Sequence, residues 1–267
     1  MTNEELRRRW ESEERCAQIR GWDFSHLDGR CVEEGTLPWS YEAEIRRVLR
    51  REMKLLDIDT GGGEFLLSLG HPPENTSATE GYAPNVRLCR ERLVPLGIDL
   101  RECSDVSRLP FEESSFDLII NRHGSFDPRE IRRVLRPGGG FITQQVGSEN
   151  DRDLVEAVLP GTKPPFPEAN LRTQRRLLED AGLEVLCAQE AFLPIRFYDI
   201  GAFVWFARII EWEFPGFSVK RCYKRLLQMQ DILEQKGSMT GTIHRFFMKV
   251  RKPEAQADAA ACGETDG

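Results

Sequence analysis

Asp57-Ile58-Asp59-Thr60-Gly61-Gly62-Gly63 closes a short apolar run, Lys54 to Ile58, and opens onto a segment with helical spacing, Glu64 to Leu69. A turn without Cβ atoms lets the main chain approach a ligand, and a helix amino terminus offers free amide donors. Twenty-three positions after Asp57, Glu80 ends the next strand-like run, where an acid can accept hydrogen bonds from ribose hydroxyls. Turn, order and acid together point to a cofactor containing adenosine. Two classes are open, a nicotinamide dinucleotide and S-adenosylmethionine. The phosphate-binding fingerprint G-x-G-x-x-G is not met, because Leu66 stands where its third glycine would be. Asp57 and Asp59 make a poor cradle for a pyrophosphate, whereas they suit an ammonium and a sulfonium.

Farther along, Asn121-Arg122-His123-Gly124-Ser125-Phe126 follows the apolar run Phe116 to Asn121. His123 is the candidate general base, since an imidazole titrates near neutrality; the alternative is a histidine that shapes the loop. His26 is a weaker candidate, and His71 and His244 look structural or exposed. Eight aromatic residues fall between Phe197 and Phe217, beside Arg196, Arg208 and Glu211. Such a set could enclose a planar or apolar acceptor, with Trp22, Trp39 and Tyr41 closing the other wall. The candidate acceptor contacts are Trp39, Tyr41, His123, Tyr198 and Trp212.

The elements that must position these residues are short apolar runs alternating with amphipathic helices. Strands are expected at Lys54–Ile58, Thr76–Glu80, Ile98–Cys103, Phe116–Asn121, Phe141–Val146, Leu183–Glu190 and Gly241–Val250. Helices are expected at Glu64–Leu69, Asn85–Leu96, Pro128–Leu135 and from Asn170 to Ala181. Strands spaced by helices predict βαβ units and a mostly parallel sheet covered on both faces. Residues 2–20, dense in Glu and Arg, predict a surface helix. The organisation that follows is an amino-terminal lid segment (1–53), a core (54–190), a helical cap (191–240), the last strand of the core (241–252) and a disordered tail (253–267).

Composition sets outer bounds. The 267 residues are 40% hydrophobic and carry a net charge of −7, which excludes a disordered chain and disfavours general nucleic-acid or membrane-surface binding. Seven scattered cysteines without a Cys-x-x-Cys pair predict reduced thiols, a cytoplasmic location and no metal site.

The chain resembles the class I S-adenosylmethionine-dependent methyltransferases. The resemblance spans roughly residues 52 to 148 and rests on four stretches: Leu55 to Glu64, Ala78 to Asn85, Asp105 to Ile120, and Ile131 to Ile142. It implies a Rossmann-like, seven-stranded sheet with a reversed last strand and the cap inserted before it. By position it implies that Gly61 and Gly63 flank the methionine moiety while Asp57 orders the loop and faces its amino group. Glu80, followed by Gly81, would hold the ribose. Asp105 would accept from the adenine amine, Val106 would lie beside the ring, and Asn121 would stand near the sulfonium. Asp59 departs from the pattern, occupying a position where the family usually has glycine; its carboxylate would either pair with the cofactor's ammonium or obstruct it.

The leading expectation is therefore methyl transfer to a small molecule. A distant likeness to bacterial ribosomal-RNA guanine-N1 methyltransferases, with nine Lys+Arg against two Asp+Glu between Phe217 and Lys252, keeps an RNA substrate as the second. A non-catalytic ligand-binding protein of this fold is the third, and a nicotinamide oxidoreductase the fourth.

Overall fold

In the computed structural model, which describes residues 1–19 and 23–254, the alternating pattern forms one eight-stranded sheet. The strands are β1 (Cys31–Glu33), β2 (Leu55–Ile58), β3 (Thr76–Glu80), β4 (Asp99–Glu102), β5 (Phe116–Arg122), β6 (Leu135–Val146), β7 (Glu184–Phe197) and β8 (Met239–Arg251). The helices are α1 (Asn3–Cys16), α2 (Tyr41–Val48), α3 (Glu64–Ser68), α4 (Ala83–Arg92), α5 (Pro128–Val134), α6 (Arg152–Val158), α7 (Leu171–Asp180), α8 (Ile200–Ile209) and α9 (Val219–Lys236).

Across the sheet the order is β1-β7-β8-β6-β5-β2-β3-β4. β4, β3, β2, β5 and β6 run parallel, and β8 is antiparallel to both of its neighbours. The last strand is thus reversed, as the resemblance implied, but the sheet has eight strands rather than seven. The eighth is β1, which pairs antiparallel with the end of β7, Cys31 opposite Phe197. Three residues carry no periodicity, so this strand exists only because a partner edge is offered to it.

Leu55, Leu56, Ile58, Ile119 and Ile120 are wholly buried, as parallel strands covered on both sides require. One side is packed by Tyr41, Ile45, Leu66 and Leu93, and the other by Ile131, Val134 and Leu178. A third cluster joins α1 to the carboxyl-terminal helices through Trp10, Phe203, Phe214, Phe217 and Leu226. Arg30 fastens the same junction, donating to Asp199 at 2.8 and 2.9 Å and to Glu13 at 2.8 Å.

The end of β7 also differs from expectation. β7 continues through Ala191 to Phe197, so seven residues read as cap are strand. Pro194 is tolerated there because its carbonyl faces β1, accepting from Glu34 N–H at 2.8 Å, and the missing N–H would face the same side. Helix α6 was not legible as a helix. Trp22 and residues 255–267 of the tail lie outside the described residues. Among the described residues no helix is long and apolar enough to cross a membrane.

Candidate functional site

The carboxyl ends of β2, β3 and β5 bring the acidic residues together. After β2 the chain turns through the glycine loop into α3, whose amino-terminal cap is Gly63 at φ 79°. A Cβ there would stand 2.9 Å from Leu93, so both handedness and space call for glycine. Asp57, 5% exposed, accepts from the Thr60 hydroxyl at 2.7 Å and so braces the loop from below. Burial pushes its carboxyl up to about 7.

Asp59 sits at φ 55°, the left-handed region, which explains why glycine suits the position and why an aspartate is among the few residues to stand in for it. Its carboxylate accepts the Ser125 backbone N–H, linking the glycine loop to the loop after β5. Burial first, then the charge of Glu80, raise it to about 6. Gly124 makes the contact close: a Cβ on it would lie 2.6 Å from the Asp59 Cβ and 2.9 Å from Asn121 Nδ2.

Glu80 is 4% exposed and fully engaged. Oε2 accepts from Gly61 N–H at 2.8 Å and Asn85 Nδ2 at 3.4 Å, and Oε1 accepts from the N–H groups of Gly81 and Tyr82 at 2.9 Å each. Four donors match the four lone-pair sites of a carboxylate, so Glu80 is the strut between loop and β3. Asn121 is wholly buried; its amide donates to Ile58 O at 3.0 Å and accepts from Gln145 at 2.5 Å. Its side chain therefore ties β2, β5 and β6 together. Asp105 lies in an exposed turn, accepting from Ser107 N–H at 3.0 Å and its hydroxyl at 2.6 Å, while Val106 packs against the core.

His123 stands just beyond β5 at φ 60°, with its backbone N–H on Gln144 O at 2.9 Å. Its ring reaches solvent, yet the enclosing protein, and then Arg245 and Arg122, hold its pKa well below the usual imidazole range. Gln144 Nε2 lies 3.1 Å from His123 Nε2, and Gln144 Oε1 accepts from the Trp39 indole at 2.8 Å. An indole N–H only donates, so Oε1 must face Trp39 and the amide NH2 must face His123. His123 Nε2 is then the acceptor, and the ring proton sits on Nδ1. A base candidate whose lone pair is committed in this way is a poor base and a good donor.

The remaining acceptor candidates disperse. Trp39 and Tyr41 are 8% and 6% exposed and are core: Trp39 stacks on Phe247 at 5.8 Å, and Tyr41 tilts on Phe65 at 5.3 Å. They do not form an open wall, because the sheet face beneath them demands cover. Phe203, Phe214 and Phe217 pack edge-to-face on one another, leaving Tyr198 and Trp212 as exposed aromatics of the cap. A cleft of about 400 Å³ between α2 and the β7–β8 face is lined by Trp39, Glu44, Arg47, Cys187, Phe247 and Lys249, and includes no residue of the glycine loop. Glu13, Cys16 and His26 come within reach of a common cation, but Arg30 already contacts both Glu13 and His26. His244 is buried, its Nδ1 accepting from Glu149 N–H at 3.2 Å and its Nε2 2.9 Å from Glu190.

Sequence reasoning missed Gln144. The signal was present: two adjacent glutamines inside the apolar run of β6 must find partners once buried.

A methyltransferase-domain family profile matches residues 56–143, the stretch that holds β2 through β6. Residues 56–143 are similar to methyltransferase domains. The order β4-β3-β2-β5-β6 with an antiparallel β8 belongs to that fold. Among solved structures, a Bacillus halodurans protein assigned as a candidate methyltransferase superposes with TM-score 0.56 at 16% identity, over 79% of this chain and 98% of its own. The YcgJ protein of Bacillus subtilis superposes with TM-score 0.55 at 18% identity, over 80% and 99%. In sequence, the phthiotriol/phenolphthiotriol dimycocerosates methyltransferase of Mycobacterium tuberculosis is 33% identical over 38% of this chain and 40% of its own length. The sterol 4-C-methyltransferase strm-1 of Caenorhabditis elegans is 28% identical over 48% of this chain and 41% of its own length. The chain thus spans about two fifths of the curated relatives it matches.

Proposed function

We propose that this chain is an S-adenosylmethionine-dependent methyltransferase acting on a small apolar acceptor. One observation carries the reading. Asp57, Asp59 and Glu80 converge at the carboxyl ends of β2 and β3, and their carboxylates meet hydroxyl and amide donors, while Arg122 acts on Asp57 through its charge alone. Three crowded, desolvated acids attract a cation and repel a pyrophosphate. That favours the sulfonium cofactor over a dinucleotide.

When bound, S-adenosylmethionine supplies an electrophilic methyl group. Asp57 and Asp59 would hold its ammonium, Gly61 and Gly63 would flank the methionine chain, and Gly81 would stand at the ribose, with Glu80 bracing the loop beside it. Asp105 and Val106 would lie at the adenine, and Asn121 would fix the strand ends beside the sulfonium. His123 offers Nδ1–H as a hydrogen-bond donor to the acceptor. Alignment and exclusion of water are the remaining tasks, and they fall to the amino-terminal segment and to helices α8 and α9.

For the acceptor, the relatives named for phthiotriol dimycocerosates and for sterols share an apolar body carrying hydroxyl groups. The same class is proposed here, in preference to RNA. Titration calorimetry with S-adenosylmethionine, S-adenosylhomocysteine and NAD tests the reading. Binding of the two sulfur compounds and not NAD is expected; binding of neither sinks it.

A further inference from the structure

We infer that Asp151, Arg152 and Glu213 form the site that receives a hydroxyl group of the acceptor, under the junction of cap and core. This rests on the methyltransferase reading and adds where the acceptor's polar end is held.

Asp151 follows the carboxyl end of β6, at the same end of the sheet as the glycine loop. It is wholly buried and held at φ 54°, with its N–H on Thr242 O at 2.8 Å. Oδ2 accepts from the Asn150 amide at 2.6 Å, but Oδ1 is buried without a partner. Glu213 lies in the turn between α8 and α9 and is 6% exposed; its Oε2 is likewise buried and unpartnered. So is Nη1 of Arg152, although Nη2 of the same guanidinium holds Thr162 O. Glu213 lies within electrostatic reach of Asp151, Arg152 and Arg245. Three unpartnered charged atoms on two sides of one junction are an unusual concentration, because buried polar groups are almost always satisfied.

Arg245 connects this cluster to the methyl-transfer side. It stands opposite Val146, bonds Asn150 Oδ1 at 2.6 Å, and acts electrostatically on Asp151, Glu213 and His123 alike. A ligand bridging His123 and the Asp151–Glu213 pair would pass directly over the strand ends.

The unpartnered atoms choose the ligand class. Arg152 Nη1 is an unpartnered donor, and Asp151 Oδ1 and Glu213 Oε2 are unpartnered oxygens, so the cluster matches a group that both donates and accepts. A neutral hydroxyl does both, accepting from Arg152 Nη1 and donating to Asp151 Oδ1.

The test uses the full chain with cholestanol and with cholestane, its hydroxyl-free analogue, each delivered in cyclodextrin. Affinity is followed by tryptophan fluorescence. The wild type should prefer cholestanol by about tenfold or more. Asp151→Asn and Glu213→Gln should each reduce that preference to about threefold or less while leaving S-adenosylmethionine affinity unchanged. Equal affinity of the wild type for the two probes overturns the inference, as does an unchanged preference in both folded variants. Should either variant fail to fold, the wild-type comparison and the other variant still decide. Hydroxyl preference without any S-adenosylmethionine binding would overturn the methyltransferase reading instead.

Discussion

The indole N–H of Trp39 donates to Gln144 Oε1 at 2.8 Å, and that bond decides which nitrogen of His123 carries the proton. Gln144 cannot flip without leaving the buried indole unpaired, so its NH2 stays on His123 Nε2, 3.1 Å away. Trp39→Phe removes the constraint and strands Gln144 Oε1. A stability loss of about 1–3 kcal/mol is expected. Nitrogen NMR of the imidazole should show Nδ1–H in the wild type and a mixed tautomer in the variant. An Nε2–H ring in the wild type would refute the relay.

Asp59 occupies a left-handed position that asparagine also tolerates, so Asp59→Asn removes charge with little backbone penalty. Affinity for S-adenosylmethionine at pH 7.5 should fall about tenfold, equivalent to about 1.4 kcal/mol, with the melting temperature preserved. Calorimetry reads both. Tighter binding in the variant would mean that the carboxylate obstructs the ammonium.

Stability should decline with pH above neutrality. Asp57, Asp151 and Glu213 are raised to about 7, about 8 and about 7 from 3.8, 3.8 and 4.5, so the folded chain holds these protons more tightly than the unfolded one. Their contribution is full below about pH 4 and is lost as pH rises through 7 to 8. His123 acts oppositely: its lowered pKa makes protonation favour the unfolded chain, an effect complete by its ordinary 6.5. From pH 6.5 to 8.5 the acids alone should lower the melting temperature, and Asp151→Asn should flatten the slope. A flat or rising wild-type curve over that interval would contradict the assignment.

Glu80→Ala leaves the N–H groups of Gly61, Gly81 and Tyr82 without their acceptor. A loss of roughly 2–4 kcal/mol is expected, from charge-assisted bonds and a buried cavity. Hydrogen exchange should show the Gly61 amide losing protection before the β2 amides do. Uniform loss across the sheet would show that Glu80 supports the core rather than the loop.

Much of the core was legible in the sequence because its causes are local. β3 begins and ends at the residues expected, Thr76 and Glu80, because short apolar runs bounded by turn residues have few alternatives. Asn170 caps α7 through Thr173 N–H at 2.9 Å, a bond written into residues three apart. The spacing of Asp57, Gly61, Gly63 and Glu80 likewise fixed which acids meet at the strand ends. Tertiary structure alone decided the rest. β1 is a strand only because β7 offers an edge, and β7 itself runs to Phe197 because β8 pairs with it along its length. Trp39 is core rather than pocket because the sheet face beneath it needed cover, and its partner Gln144 lies 105 positions away. Asp151 and Glu213 share no motif and no neighbourhood in the chain. Burial and electrostatic proximity are sums over the whole folded molecule, and no window of sequence contains them.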